Sequence, residues 1–132
     1  MNLVHISEGA SLALHSLVLI ARNENKRMNV KTIAEELGAS QAHLAKVFQK
    51  LNKAGLVNSV RGPSGGFELN KPAHEISFLE IYEIIEGKVK LNGCPLGKTE
   101  CSFKTCIFGN DLNRIYKDIY ETFGKMKLSK IA

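Results

Sequence analysis

The strongest constraint on the fold lies between residues 29 and 55, where two helical periods follow one another across a connection of two residues. Asn29 can cap the run VKTIAEEL, which stops at Gly38, and Ser40 can cap QAHLAKVFQKLNKA, which stops at Gly55. A short polar side chain before a helix accepts a hydrogen bond from an otherwise unpaired first-turn N–H, and glycine takes the left-handed conformation that closes the last turn. In the second run Leu44, Val47, Phe48 and Leu51 recur at steps of three and four, one apolar face on an otherwise polar helix. Next come LVNSV, RGPSGG and FELN, two strand-like runs around a Gly/Pro-rich turn that read as a hairpin.

The flanking segments complete a mainly α chain with a small β-hairpin. ASLALHSLVLIA at 10–21 is apolar on nearly every side, as a core helix requires, and RNENKRMN is a polar connection. Ser77 and Glu80 form an S-x-x-E capping box that opens FLEIYEIIE, closed by Gly87. All three cysteines fall in 88–109, where Gly93, Pro95 and Gly97 oppose regular structure. From Asn110 onward Leu112, Ile115, Ile119, Phe123 and Met126 make one apolar stripe on a final long helix. Two helices across a tight turn followed by a hairpin is the order of a winged helix-turn-helix. The expected organisation is that unit at 1–87, a cysteine-bearing sensor loop at 88–109, and a dimerisation helix with a tail at 110–132. At 132 residues and 44% apolar the chain suits one domain and excludes disorder. The longest apolar stretch, Ala10 to Ala21, is interrupted by His15 and Ser16 and falls short of a membrane span. With neither a basic flank nor a small-residue cleavage site, the expected location is the cytoplasm.

Charge is concentrated rather than spread. Residues 22–61 hold eight cationic and three anionic side chains, so this stretch alone accounts for the net charge of +5. A solvated helix face would also carry such charge, but a local basic surface on this motif order points to a polyanion, with double-stranded DNA foremost. The second helix of such a unit enters the major groove with its N-terminal residues towards the base edges. Opposite the apolar stripe, the helix opened by Ser40 offers Gln41, Ala42, Ala45, Lys46, Gln49 and Lys50. Gln41 suits an adenine edge and Lys46 a guanine edge or a phosphate, while Lys50 and Lys53 suit phosphates. His43 has two readings, a DNA contact or packing against the preceding helix. Arg61, at the base of the glycine-rich turn, suits a narrow minor groove.

Cys94, Cys101 and Cys106 form C-x6-C-x4-C. An odd count in a cytosolic setting argues against a structural disulfide, and the spacing departs from the short knuckles of structural zinc. Taken alone, the residues leave four readings open: an iron–sulfur cluster, zinc, a thiol switch, or incidental cysteines.

The run IAEELGASQAHLAKVFQKLNKAGLVNSVRGPSGGFEL resembles the DNA-binding segment of IscR/NsrR-type winged-helix regulators, the Rrf-two family. The likeness continues through ISFLEIYEIIEG into the cysteine segment, over roughly residues 1–125. It implies a homodimeric transcription regulator, a repressor in expectation, that binds partly symmetric operators. The matching positions place Ser40, Gln41, His43 and Lys46 at the major groove and Arg61 at the minor groove. Members of the IscR kind have glutamate where this chain has Ala45, so base preference there does not carry over. The resemblance also implies an iron–sulfur cluster, [4Fe–4S] or [2Fe–2S], on Cys94, Cys101 and Cys106. The histidine that the IscR kind supplies after the third cysteine is missing, since Cys106 is followed by Ile107, Phe108, Gly109 and Asn110. NsrR-like relatives use a carboxylate near the partner subunit's N-terminus, and Glu8 stands at the matching position, with His5 nearby. A first-turn carboxylate such as Glu8 is also favoured by the helix dipole alone, with no metal needed.

The expected mechanism is a switch in which the cluster orders the loop, and its loss or its reaction with an oxidant or nitric oxide alters operator affinity. A thiol-redox or zinc sensor would keep the same DNA function. An iron–sulfur electron-transfer protein would leave the basic unit without a role. No P-loop, paired catalytic carboxylates or Ser/His/Asp arrangement points to an enzyme or a small-molecule substrate, and His15 and His74 have no identifiable partners.

Overall fold

The computed structural model describes residues 3–23, 26–90, 94–97 and 100–132. Ser7 opens α1, Glu8–Arg22, by accepting from the Ala10 N–H at 3.1 Å. The helix buries Ala10, Ala13, Leu14, Leu17, Ile20 and Ala21 and leaves His15 exposed, so the apolar run at 10–21 is the central core helix. Asn29 Oδ1 accepts from Thr32 N–H at 2.8 Å to open α2, Val30–Leu37, and Gly38 closes it with φ 63°. Ser40 Oγ accepts from His43 N–H at 3.3 Å to open α3, Gln41–Lys53. Its stripe Leu44, Val47, Phe48 and Leu51 is buried against α1 and α2.

Strands β1, Val57–Val60, and β2, Gly66–Leu69, pair antiparallel with Val57 opposite Leu69 and Val60 opposite Gly66. The polar connection after α1 takes part in this wing. Met28 exchanges backbone hydrogen bonds with Phe67 at 3.2 and 2.8 Å and bridges the free side of β2. Gly66 makes that close approach possible: a Cβ there would lie 2.7 Å from the Met28 carbonyl, and its φ of 144° favours glycine in any case. The Phe67 ring stacks on Phe48 at 4.4 Å, so the wing is fastened to α3 through the core.

After a 3₁₀ turn at Ala73–Glu75, Ser77 Oγ accepts from Glu80 N–H at 3.1 Å and opens α4, Phe78–Glu86. Only half of the expected capping box forms. The Glu80 carboxylate takes Lys71 at 3.0 Å instead of reaching back, and beside it the Phe78 N–H donates to Met126 O at 2.9 Å, which pairs this turn with the tail. Then α5, Asp111–Lys125, meets α4 through Phe123, whose ring lies 6.4 Å from those of Phe78 and Tyr82. A last turn, α6, Leu128–Ile131, folds back onto the core, where Leu128 is 0% exposed and its N–H donates to Ile76 O at 3.1 Å. The tail therefore shares its core with α1 and Ile76 rather than extending the stripe of α5. Leu128→Ala is expected to lower stability by about 2–5 kcal/mol in urea unfolding, the range for a buried leucine truncated to alanine. Ile131→Ala, on the exposed side, should stay within about 0.5 kcal/mol. Among the described residues no helix is long and apolar enough to cross a membrane.

Candidate nucleic-acid interface

Burial of its apolar stripe fixes which side of α3 meets solvent. Gln41, Ala42, Ala45, Lys46 and Gln49 are all exposed, and Ser40 and Gln41 stand at the helix start, where a groove-entering helix presents its tip. Lys46 makes no hydrogen bond or ion pair with the described residues, nor does Arg61 at the exposed base of the wing turn. Nearby cations behave differently: Arg27 is paired with Glu68 at 3.1 Å and Lys71 with Glu80 at 3.0 Å. Uncompensated charge on one helix face and on the wing gives the potential that phosphates seek.

Two of the candidate residues on α3 are held by the protein itself. His43 is half-buried, and its Nδ1 lies 3.6 Å from Glu8 Oε1 on α1, rather than against α2. Lys50 is exposed but donates from Nζ to Ile85 O on α4 at 3.3 Å. Both partners are more than thirty positions away in sequence, so no local spacing signals either contact. The Phe48–Phe67 stack that ties wing to helix is equally invisible to periodicity.

The cysteine segment has the donor chemistry of a soft metal centre but not a closed geometry. Cys94, Cys101 and Cys106 are exposed, as is every described residue from 94 to 110. Among the described residues of the one chain no group of three His, Cys, Asp or Glu is placed to hold a metal ion, and the expected ligand set draws Glu8 from a second copy. No described residue of 94–110 is buried, so packing within the chain gives these thiols little support. Thiolates on one short segment do match iron–sulfur chemistry in kind.

Beside this segment lies an apolar groove of about 540 Å³ between the N-terminal residues, α4 and α5, lined among others by Leu3, Ile6, Tyr82, Phe108, Ile115 and Tyr116. No residue of α5 is buried, and its stripe stays open on one side, with Ile115 46% exposed.

The family described as Rrf2, iron-dependent transcriptional regulator, matches residues 6–132. The HTH-type transcriptional regulator IscR of Cereibacter sphaeroides is 38% identical over 80 residues, which are 61% of this chain and 52% of that protein, so the match spans about half of that relative. Among solved structures, the IscR of T. potens superposes with a TM-score of 0.77 at 25% identity, covering 96% of this chain and 84% of that one. The oxidised form of Staphylococcus aureus CymR superposes with a TM-score of 0.73 at 28% identity, covering 95% and 93%.

Proposed function

The chain belongs to the Rrf2 family of transcriptional regulators, DNA-binding proteins and not enzymes, and from that premise we propose that it is a cytoplasmic repressor whose operator affinity follows the state of its cysteine segment. The observation that carries the DNA contact is the exposed, uncompensated pair of cations, Lys46 on the solvent face of α3 and Arg61 at the base of the wing turn. In this reading Ser40, Gln41 and Lys46 meet the major groove, and Arg61 meets the minor groove. Lys50 gives a phosphate contact once its bond to Ile85 is exchanged, and His43 stands at the rim of the interface. Two copies bind as a C2 dimer through the open stripe of α5 and the groove beside it, which sets two α3 helices about one DNA turn, ~34 Å, or a multiple apart. Titration of operator and random duplexes at several salt concentrations tests the reading. A log–log salt slope and a sequence-specific excess are expected; binding of equal strength to both duplexes would defeat it.

The sensor proposed first is an iron–sulfur cluster, [4Fe–4S] or [2Fe–2S], held by Cys94, Cys101 and Cys106, with Glu8 of a second copy as the candidate fourth ligand. When bound, such a group reacts with oxidants or nitric oxide and so supplies the signal. The chain's own part is to present three thiols on a segment that runs directly from α4 to α5, so that ordering it constrains both helices. A second reading is favoured by the exposure of all three cysteines and by the likeness to CymR, whose structure is known in an oxidised form: a thiol switch without metal. Purification of the wild type and of Cys101→Ser without oxygen separates them. The cluster reading expects iron, sulfide and visible absorbance in the wild type and their loss in the variant. The thiol reading expects no iron in either and an operator affinity that follows reversible oxidation.

A further inference from the structure

The first turn of α1 touches two other helices at once. Ser7 Oγ donates to a carboxylate oxygen of Glu86 on α4. Glu8 Oε1 lies 3.6 Å from His43 Nδ1 on α3. Between them Gly9 lets the three helices close together: a Cβ there would sit 3.3 Å from Ile85 Cγ2 and 3.8 Å from His43 Nε2. On the far side of the same junction Lys50 Nζ donates to Ile85 O at 3.3 Å. His43 and Lys50 are seven residues apart, two turns along one edge of α3, so that edge is held near both of its ends. Ile85 and Glu86, which receive these contacts, are the last residues of α4, immediately before the chain leaves for the cysteine segment.

We propose that Ser7, Glu8, Ile85 and Glu86 form a joint that sets the position of the recognition helix, with Glu8 a positioning residue acting through His43. This rests on the DNA reading above and adds the route by which the end of α4 reaches α3. A displacement of Ile85 and Glu86 drags the first turn of α1 through Ser7 and Gly9, and it pulls α3 through His43 and Lys50. The two routes act on the same edge, so α3 pivots rather than melts. The Glu8 side chain is 79% exposed, so its pair with His43 tunes the pose and is not needed for folding. The energy scale of an exposed pair corresponds to about a two- to fivefold change in binding.

The test is a double-mutant cycle on the full-length protein. Glu8→Gln, His43→Gln and the double variant are titrated against the operator and a random duplex, first in the wild-type background and then with Cys101→Ser. Each single variant is expected to lose about threefold in operator-over-random preference, and the double variant about the same threefold, because one pair is removed only once. Unfolding midpoints should stay put in all three variants, which a general structural defect would not allow. Losses that multiply to about ninefold would mean that Glu8 and His43 act independently and would overturn the joint. So would a Glu8→Gln variant with unchanged operator preference, or coupling that vanishes with Cys101→Ser, which would place Glu8 in the metal site alone. Gly9→Ala is a second probe: alanine favours the helix, so stability should hold, while the added methyl against Ile85 shifts α3 and lowers operator preference. Unchanged preference in Gly9→Ala argues against the joint. A wild-type chain with no preference for the operator would instead refute the DNA reading itself.

Discussion

Phe48→Ala is expected to remove about 3–5 kcal/mol of stability, the range for a buried phenylalanine truncated in a core. Phe48 is fully buried on α3, and its ring supports Phe67 of β2 at 4.4 Å. The substitution therefore opens a cavity and leaves the wing without the surface that aims it. Measured against a total of about 5–15 kcal/mol for a domain of this kind, the loss is large. Urea unfolding should show a lower midpoint at an unchanged slope, and operator binding should weaken even where the protein remains folded. Phe48→Leu, which keeps most of the volume, should cost less, about 1.5 kcal/mol. A loss below about 1 kcal/mol for the alanine variant would mean that helix and wing are not fastened through this stack.

The second large effect concerns binding alone. Lys46→Ala and Arg61→Ala together are expected to weaken operator affinity by about 2–4 kcal/mol, roughly thirty- to a thousandfold, with little change in unfolding midpoint. Both side chains are exposed and carry no intramolecular partner among the described residues, so removing them costs the fold nothing. The salt slope separates their roles. Deleting a cation that neutralises a phosphate reduces the slope by about 0.9, whereas deleting one that reads a base edge relaxes preference at that base pair. If the double variant binds the operator as tightly as the wild type, the face of α3 and the wing are not the DNA-binding surface.

Exposure of the cysteine segment bears directly on how a sensor would work. A chain whose thiols were already gathered would need only a metal to complete the site. Here no described residue from 94 to 110 is buried, so binding of the proposed ligand or of a second subunit would supply much of what gathers them. The free energy that orders the segment then comes from binding, which is the condition under which loading can bias α4 and α5 between two arrangements.

Much of the fold is legible in the sequence because the signals are local. Asn29, Ser40 and Ser77 each cap the helix that follows, and Gly38 turns left-handed at the end of α2. A cap depends on residues two or three positions away, and a stripe such as Leu44–Leu51 on the 3.6-residue period, so neither needs knowledge of the rest of the molecule. The hairpin and the exposed face of α3 follow from the same physics. Glu80 marks where local signals stop: the S-x-x-E spacing announces a return bond, but Lys71 offers a charge instead.

By itself the order of residues determined the order of the longer helices and the hairpin, most helix ends, the wing and the sign of the charge along 22–61. The tertiary structure alone decided that Met28 joins the sheet, that Leu128 enters the core, and that His43 faces Glu8. Those are encounters between segments distant along the chain, and their outcome depends on how whole helices fill one volume, a quantity no short window of sequence contains.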